Sequence, residues 1–329
     1  MTDAISDRKT GMDVLHRFSF DQLPVRGQWV RLHGVLADAF AHKTYPDQVR
    51  SLLGQMFAAV AMFADNLKFD GAVALQSKGG GAIRQTLAEC REHQFIRGIA
   101  HLRDNFSIPT AAADLNAWLG AGAERGSQAQ LALSLIPAAE AKQTTYQAFV
   151  PLNQASLAAN LEDYFATSEQ LPTRLFFTPA DSSTDTVTGL LLQRLPSPDL
   201  ASEVELASFD DAWETLETLA NTLTMQELAA LSARQLLSRL FAEFECRLHA
   251  GQVLSYRCTC SREKTDRTLG VFDPEELEEI LAERGHIHVD CEFCGKRYEY
   301  DQVDVRQLAH GSPAGAGAGT QEGHEGPLH

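Results

Sequence analysis

The sequence predicts an α+β protein: a mixed α/β N-terminal domain, a helical linker segment and a small C-terminal domain built on four cysteines. Three observations carry this expectation. Alternating β-branched and aromatic runs are interleaved with helical stripes up to Pro196, residues 197–257 read as amphipathic helices, and cysteines fall in two close pairs, Cys258 with Cys260 and Cys291 with Cys294. The expected boundaries are 1–196, 197–257, 258–310 and a tail over 311–329.

Size and charge narrow the class. With 329 residues and 44% hydrophobic content, the chain exceeds one average domain and has ample material for a core. Its 28 basic and 44 acidic residues give a formal charge of −16. No Lys/Arg stripe is present, which argues against a nucleic-acid partner, because phosphate needs clustered cations. No run approaches the roughly 18 apolar residues of a membrane span; the longest, Met56 to Phe63, is interrupted by Asp65. The polar start, Met-Thr-Asp-Ala-Ile-Ser-Asp-Arg, lacks the apolar core of a signal peptide. The expectation is a cytoplasmic protein with no membrane partner. In that reducing compartment six cysteines serve a metal or reversible redox chemistry rather than permanent disulfides.

Taken in order, Arg17–Phe20 and Val25–Leu32 show the alternation of half-buried strands. Pro46 suits a first helical position, and Val49, Leu52, Leu53, Met56, Phe57, Val60 and Phe63 follow along one face. Ala72–Gln76 and Ile83–Cys90 read as a hairpin turned at Gly79-Gly80-Gly81, where glycine permits positive φ. That glycine run lacks the Gly-Lys-Ser/Thr ending of a phosphate loop and opens a strand, not a helix. Gly120, Gly122 and Gly126 miss the dinucleotide spacing and mark a loop. Leu131–Ile136, Tyr146–Val150, Leu175–Thr178 and Val187–Leu192 carry further strand signals. Ser156–Phe165 reads as a capped helix anchored on Leu157, Leu161, Tyr164 and Phe165. No nucleophile elbow or metalloprotease pattern appears, so the protein is read as a non-enzyme.

Pro196 and Pro198 close this domain. Beyond them Phe209, Trp213, Leu216, Leu219 and Leu223 recur at helical spacing, and Thr224 with Glu227 and Ser232 with Gln235 fit capping boxes. A last helix carries Leu236, Leu237, Leu240, Phe241 and Phe244 on one face, and Cys246 is expected on a helix as well. The segment holds ten acidic and four basic residues. Such helices have little stability alone, because their apolar faces need a partner surface. Periodicity leaves two readings open: a permanently docked layer, or a conditional linker that detaches. In the second, Phe209, Trp213, Leu216, Leu237, Leu240, Phe241 and Phe244 are the candidate contacts with client proteins.

The cysteine pairs are separated by 30 residues. Each pair offers two sulfurs to one ion while the chain between folds back, as a four-cysteine site for one zinc requires. Cys-Thr-Cys is tighter than the usual spacing of structural zinc sites, a hint of redox chemistry. Between the pairs, Asp273 is an N-cap, Pro274 a first helical residue, Glu275 and Glu276 suit the positive helix end, and Gly285 stops the helix. Leu277, Ile280 and Leu281 are its expected inner face. His286–Val289 and Lys296–Tyr300 read as strands flanking a knuckle that holds Cys291 and Cys294. From Gly311 the Gly/Ala/Ser/Pro-rich tail cannot bury apolar area and is expected to be disordered.

The runs Cys258-Thr259-Cys260-Ser261-Arg262-Glu263 and Cys291-Glu292-Phe293-Cys294-Gly295 recur with Val25-Arg26-Gly27, with Tyr45-Pro46 through Leu67-Lys68-Phe69-Asp70-Gly71, with Ser168-Glu169-Gln170-Leu171-Pro172-Thr173-Arg174 and with Gly189 through Pro196. In these segments, and over nearly its whole length, the chain resembles the thirty-three-kilodalton heat-shock protein family of redox-regulated holdase chaperones. It departs between about Trp118 and Val150, where Tyr146-Gln147-Ala148 stands in place of Tyr-Gln-Gly. The resemblance implies an ATP-independent holdase that binds unfolding proteins under oxidative and heat stress. It implies one zinc ion held by Cys258, Cys260, Cys291 and Cys294 in the reduced state, disulfides Cys258–Cys260 and Cys291–Cys294 after oxidation, and a homodimer on activation. It also favours the conditional-linker reading.

Rival readings are a zinc ribbon with a purely structural metal, a thiol–disulfide oxidoreductase and, more remotely, a zinc deaminase, for which the His-x-Glu partner is missing. His286, His288 and His310 lie near the centre in sequence, but four cysteines already suffice. Cys90 is expected to be a structural thiol, and Cys246 is a candidate resolving thiol. Arg257, Arg262, Lys264, Lys296 and Arg297 flank the pairs, to hold thiolates negative or to solubilise.

Overall fold

A computed structural model of the chain describes residues 13–66, 71–104, 114–120, 129–138, 144–180, 185–196 and 203–311. It divides into two compact units, Met1–Cys258 and Thr259–His329.

The first unit runs β1 (Val14–Phe20), β2 (Val25–Leu32), α1 (Gly34–Phe40), α2 (Asp47–Asp65), β3 (Gly71–Lys78), β4 (Ile83–Arg91), β5 (Phe95–Leu102), α3 (Leu115–Leu119), β6 (Gln130–Pro137), β7 (Tyr146–Val150), α4 (Leu157–Thr167), β8 (Thr173–Phe177) and β9 (Val187–Arg194). It continues through α5 (Glu203–Asn221), α6 (Met225–Ala230), α7 (Ala233–Leu240), β10 (Cys246–Leu248), β11 (Gln252–Val253) and β12 (Ser255–Tyr256). One sheet has the order β10-β1-β2-β9-β8, with β11 also on β1; a second has the order β12-β5-β4-β3-β6-β7.

Helix α2 touches strands of both sheets. Phe57 through Met62 are inaccessible to solvent, as befits the stretch Met56–Ala64, where the helix is apolar all round. The first sheet follows the period-two rule. Leu15, Val30, Leu32, Val187 and Leu191 join the core around α2, whereas Phe18, Phe20, Val25, Trp29, Leu190 and Leu192 form a second core on the other face. That second face is covered by Trp213, Leu216, Leu223, Leu228, Leu236, Leu237, Leu240 and Phe241 of the helical segment. Phe20 meets the Phe241 ring edge-on at 5.2 Å and the Phe244 ring at 6.0 Å.

Several elements depart from the sequence expectation. Helix α7 ends at Leu240, with Phe241 as its C-cap, so Phe244 lies beyond it. Cys246 sits not on a helix but in β10, opposite Phe20 in register. The stretch up to Arg257 is strand, not helix: β11 pairs with β1, and β12 runs parallel to β5. These strands span two or three residues, too few to show a period, and form because sheet edges offer unpaired backbone groups. Helices α1 and α3 and strand β5 were not expected. The chain turns at the glycine run as expected, but close approach rather than positive φ requires it: a Cβ at Gly79 would fall 2.1 Å from Leu119 O and one at Gly81 2.4 Å from Trp118 O. Gly79 N donates to Arg84 O and Gly81 N to Leu119 O, both at 3.0 Å. Gly120, at φ 74°, caps α3, while Gly122 and Gly126 fall outside the described residues.

The second unit comprises α8 (Arg262–Leu269), α9 (Pro274–Arg284), β13 (Ile287–Asp290), β14 (Arg297–Tyr300) and α10 (Gln302–Gly311). Asp273 accepts a hydrogen bond from Glu275 N at 3.1 Å, and Gly285 adopts φ 78° at the C-cap. Leu277 and Leu281 face the small core, but Ile280 is exposed. Helices α8 and α10 were not expected, and the tail beyond Gly311 falls outside the described residues.

Gly27 is the point of closest approach beneath the helical layer. It lies opposite Phe18 in register, and a Cβ there would fall 1.9 Å from the Phe18 ring. Gly27→Ala is therefore expected to lower unfolding stability by about 1–3 kcal/mol through overpacking, measured by chemical denaturation of the reduced protein. An unchanged midpoint would show that Phe18 repacks freely.

Candidate metal centre

Both cysteine pairs are set by backbone geometry. The first follows β12, where Arg257 N donates to Ile96 O at 3.0 Å. It ends at Ser261, whose hydroxyl caps α8 by accepting from Lys264 N at 3.3 Å. Cys260 thus immediately precedes the N-cap of α8. The second pair occupies the knuckle between β13 and β14. Gly295 N donates to Cys291 O at 2.8 Å and Cys291 N to Lys296 O at 2.9 Å. Gly295 has φ 68°, a left-handed conformation that glycine adopts without penalty.

These turns bring together the four sulfurs of Cys258, Cys260, Cys291 and Cys294, all within 4.8 Å of one another. The Cys260 and Cys294 sulfurs are 3.5 Å apart. Four Zn–S bonds of about 2.3 Å in a tetrahedron place sulfurs roughly 3.8 Å apart, so the donor set fits a zinc ion in number, chemistry and spacing. Each of the four cysteines is partly buried.

Hydrogen bonds and ion pairs hold the turns around the sulfurs. The Tyr298 hydroxyl donates to Cys260 Sγ at 3.1 Å. That bond, with the neighbouring sulfur charges, holds the phenol above its ordinary range. The Lys264 ammonium donates to the carbonyl of Thr259, between the first two cysteines. Arg297 forks onto Asp290 at 2.7 and 2.9 Å, pinning the base of the knuckle and holding that carboxyl below its usual range. Arg262 donates to Glu299 O and pairs with Asp304. Lys296 lies over the Tyr298 ring, and Arg257 pairs with Glu92 and lies over Phe95. The flanking cations therefore have structural partners. Sequence reasoning missed Tyr298, because nothing in its spacing marks a tyrosine as a sulfur's hydrogen-bond donor.

His286 and His288 stand outside the sulfur cluster: their rings are 4.1 Å apart, with His288 Nδ1 3.7 Å from Glu299. The His310 side chain falls outside the described residues. Burial pushes the Cys90 thiol up to about 12 and the Cys246 thiol up to about 11. Both are protonated at neutral pH, which disfavours the resolving role considered for Cys246.

Of the candidate contact residues in the helical segment, Trp213, Leu216, Leu237, Leu240 and Phe241 are buried against the sheet, and Phe209 and Phe244 are half-buried. The sheet side of that contact, with Phe18, Phe20, Trp29, Leu190 and Leu192, was not singled out from sequence. Its signal was present in the alternation of β1, β2 and β9, which carries large apolar residues at both odd and even positions.

Fold and centre define a two-unit α+β protein in which a twice-covered sheet precedes a cluster of four cysteines able to hold a metal ion. A family model described as Hsp33 protein matches residues 13–301, and the chain belongs to that family of stress-response chaperones. It is 39% identical over 311 residues to the 33 kDa chaperonin of Azotobacter vinelandii, covering 94% of this chain and 98% of that protein. It is 38% identical over 301 residues to the 33 kDa chaperonin of Pseudomonas syringae pv. syringae, covering 91% and 94%. In fold it is similar to the crystal structure of the 33 kDa chaperonin from Thermotoga maritima, with a TM-score of 0.72 at 23% identity, covering 91% of this chain and 98% of that one.

Reconstitution with cobalt tests the donor set. One equivalent is expected to give the visible bands of a tetrahedral tetrathiolate, and Cys291→Ser to weaken or shift them. An octahedral spectrum in the unsubstituted protein would rule out the four-sulfur site.

Proposed function

We propose that the protein is a redox-regulated, ATP-independent holdase whose client surface is the apolar face beneath α5–α7 together with the apolar stripes of those helices. The observation that carries this reading is the cover itself. Helices of six and eight residues, α6 and α7, lie in a segment with ten acidic and four basic residues and sit on a face rich in Phe and Leu. The chain then passes through three short edge strands to Cys258. Amphipathic helices of this length depend on docking for their order, so the segment is a conditional linker.

A zinc ion bound by Cys258, Cys260, Cys291 and Cys294 cross-links the two cysteine turns and contributes about 10–16 kcal/mol of apparent folding energy. Two-electron oxidation of each neighbouring pair makes one S–S bond, Cys258–Cys260 and Cys291–Cys294. Hydrogen peroxide is reduced to two molecules of water in each case. All four donors are then consumed, since a disulfide sulfur is no longer a thiolate. The 3.5 Å Cys260–Cys294 contact does not select the pairing, because every edge of a tetrahedral site is equally short. The small ring of a Cys-x-Cys bridge is tight, and strained disulfides are readily reduced.

The seven buried apolar residues of the second unit's core are a modest anchor once the cross-link is gone. Ordinary domain stability is about 5–15 kcal/mol, so losing the metal removes a comparable amount, and heat assists the loosening of the linker. Activation then exposes apolar surface to unfolding proteins and to a second copy of the chain, giving a homodimer. The role is binding rather than catalysis, and it is exercised in the cytoplasm. No helix among the described residues is long and apolar enough to cross a membrane.

Peroxide at elevated temperature is expected to release one zinc per chain, consume four thiols and switch on suppression of client aggregation, with reductant reversing the thiol loss. Zinc release is followed with a chromophoric chelator and aggregation by light scattering. Equal protection by the reduced, zinc-loaded protein would overturn the switch. Oxidant-resistant zinc would favour a structural ribbon instead.

A further inference from the structure

The helical layer meets the sheet through a cation as well as through apolar packing. Arg31 lies on β2, two residues from Trp29, and so shares the face beneath α5–α7. Its guanidinium stacks on the Trp29 ring at 4.8 Å from the centroid. Nη2 lies within hydrogen-bonding distance of three carbonyls around the end of α6: Leu228 O at 3.3 Å, Ala229 O at 2.8 Å and Leu231 O at 2.9 Å. Nε donates to Thr188 Oγ1 on β9 at 3.1 Å, which fixes the orientation of the fork.

The local backbone explains why a cation belongs there. Helix α6 stops at Ala230, and Leu231 turns extended, at φ −85° and ψ 144°, before Ser232 caps α7. The Leu228 and Ala229 carbonyls belong to the last turn of α6, its negative end, where no further helical turn follows, and the Leu231 carbonyl belongs to the extended link to α7. Leu228 and Leu236, on either side of the break, are fully buried against the sheet. Arg31 is thus the donor that lets the break dock on the sheet with its carbonyls satisfied.

The other arginine ties to the layer are of a different kind. Arg194 pairs with Asp210, and Arg174 with Glu217 at 3.5 Å, through partly exposed side chains. Salt screens such pairs, and each joins side chain to side chain, as does the Arg174 bond to Asn221 Oδ1 at 2.9 Å. Arg31 instead holds backbone, with its own fork fixed by an aromatic ring and a hydroxyl.

We propose that Arg31 is the positioning residue that fastens the α6–α7 break to the sheet and sets the temperature at which the helical layer lifts in the reduced protein. The proposal rests on the reading that this layer covers the client surface, but the fastening can be measured without any client.

Hydrogen exchange is followed by mass spectrometry on the full-length, reduced, zinc-loaded protein, its Arg31→Lys and Arg31→Ala variants, and a temperature series of each. Protection over residues 224–240 is expected to fall about 10- to 100-fold in Arg31→Ala, the loss associated with hydrogen bonds to a charged group. Arg31→Lys is expected to be intermediate, because an ammonium lacks the planar fork. Protection over 47–65 and zinc content should be unchanged in both. The onset of client protection without peroxide should move to lower temperature in the same order. Arg31→Lys keeps the charge and carries the test if Arg31→Ala does not fold. Unchanged exchange over 224–240, or an equal loss over 47–65, would overturn the proposal. Faster exchange over 224–240 with no change in client protection would support the fastening and overturn the client-surface reading instead.

Discussion

A sheet with two apolar faces is the constraint on which the architecture depends. Strands β1, β2 and β9 place large apolar residues on both sides, and a sheet face of that kind must be packed against another layer. Helix α2, apolar all round from Met56 to Ala64, covers one side and ties it to the second sheet. The other side is left to α5–α7. Leu216, Leu228 and Leu236 are fully buried there, and burying a leucine side chain contributes about 1.5–3 kcal/mol, so the layer is docked at rest. Its helices have no comparable source of order within themselves. The cover is therefore stable in contact and unstable out of it.

The second unit solves a related problem with a different bond. Among the described residues its buried core is seven side chains, with Tyr298 and Tyr300 among them, and both tyrosines also serve as donors, Tyr298 to Cys260 and Tyr300 to Asp266. The aromatic packing and the orientation of the sulfur site therefore rest on the same strand, β14. A change at the sulfurs is felt directly by the core, because Tyr298 belongs to both. Packing of the small core and placement of the sulfurs therefore share residues rather than resting on separate ones.

Legibility in the sequence followed the physical size of each signal. Helix α2 and the β3–β4 hairpin were readable because long apolar stripes and a triple glycine leave few alternatives, and α9 because Asp273, Pro274 and Gly285 mark both its ends. Strand β5 was missed. Gly98 interrupts its pattern because Phe57 and the Leu87 carbonyl leave no room for a Cβ, with clearances of 2.3 and 2.5 Å, and that requirement is tertiary. Helix α8 was missed because Arg-Glu-Lys-Thr-Asp-Arg-Thr-Leu has no apolar stripe; only Thr265 and Leu269 are buried. The four cysteines were legible because metal ligation demands a residue type and a spacing at once. Tyr298 was not, since a single hydrogen bond from a neighbouring strand demands neither.

The path between the helical layer and the sulfur centre runs through the least secure strands of the first unit. After α7 the chain pairs with the edge of β1 through β10 and β11, then joins β5 through the two residues of β12. The last backbone bond before Cys258 is Arg257 N to Ile96 O. Strands of two or three residues at sheet edges contribute few hydrogen bonds, and local opening begins where such bonds are few. If the proposed switch operates, disorder arising at Cys258 would reach Phe244 and Phe241 through these strands; there β1 and the helical layer share one aromatic cluster. Opening that cluster would expose Phe18 and Phe20 and remove the C-terminal support of α7. Phe241 is thus where order in the edge strands becomes order in the cover.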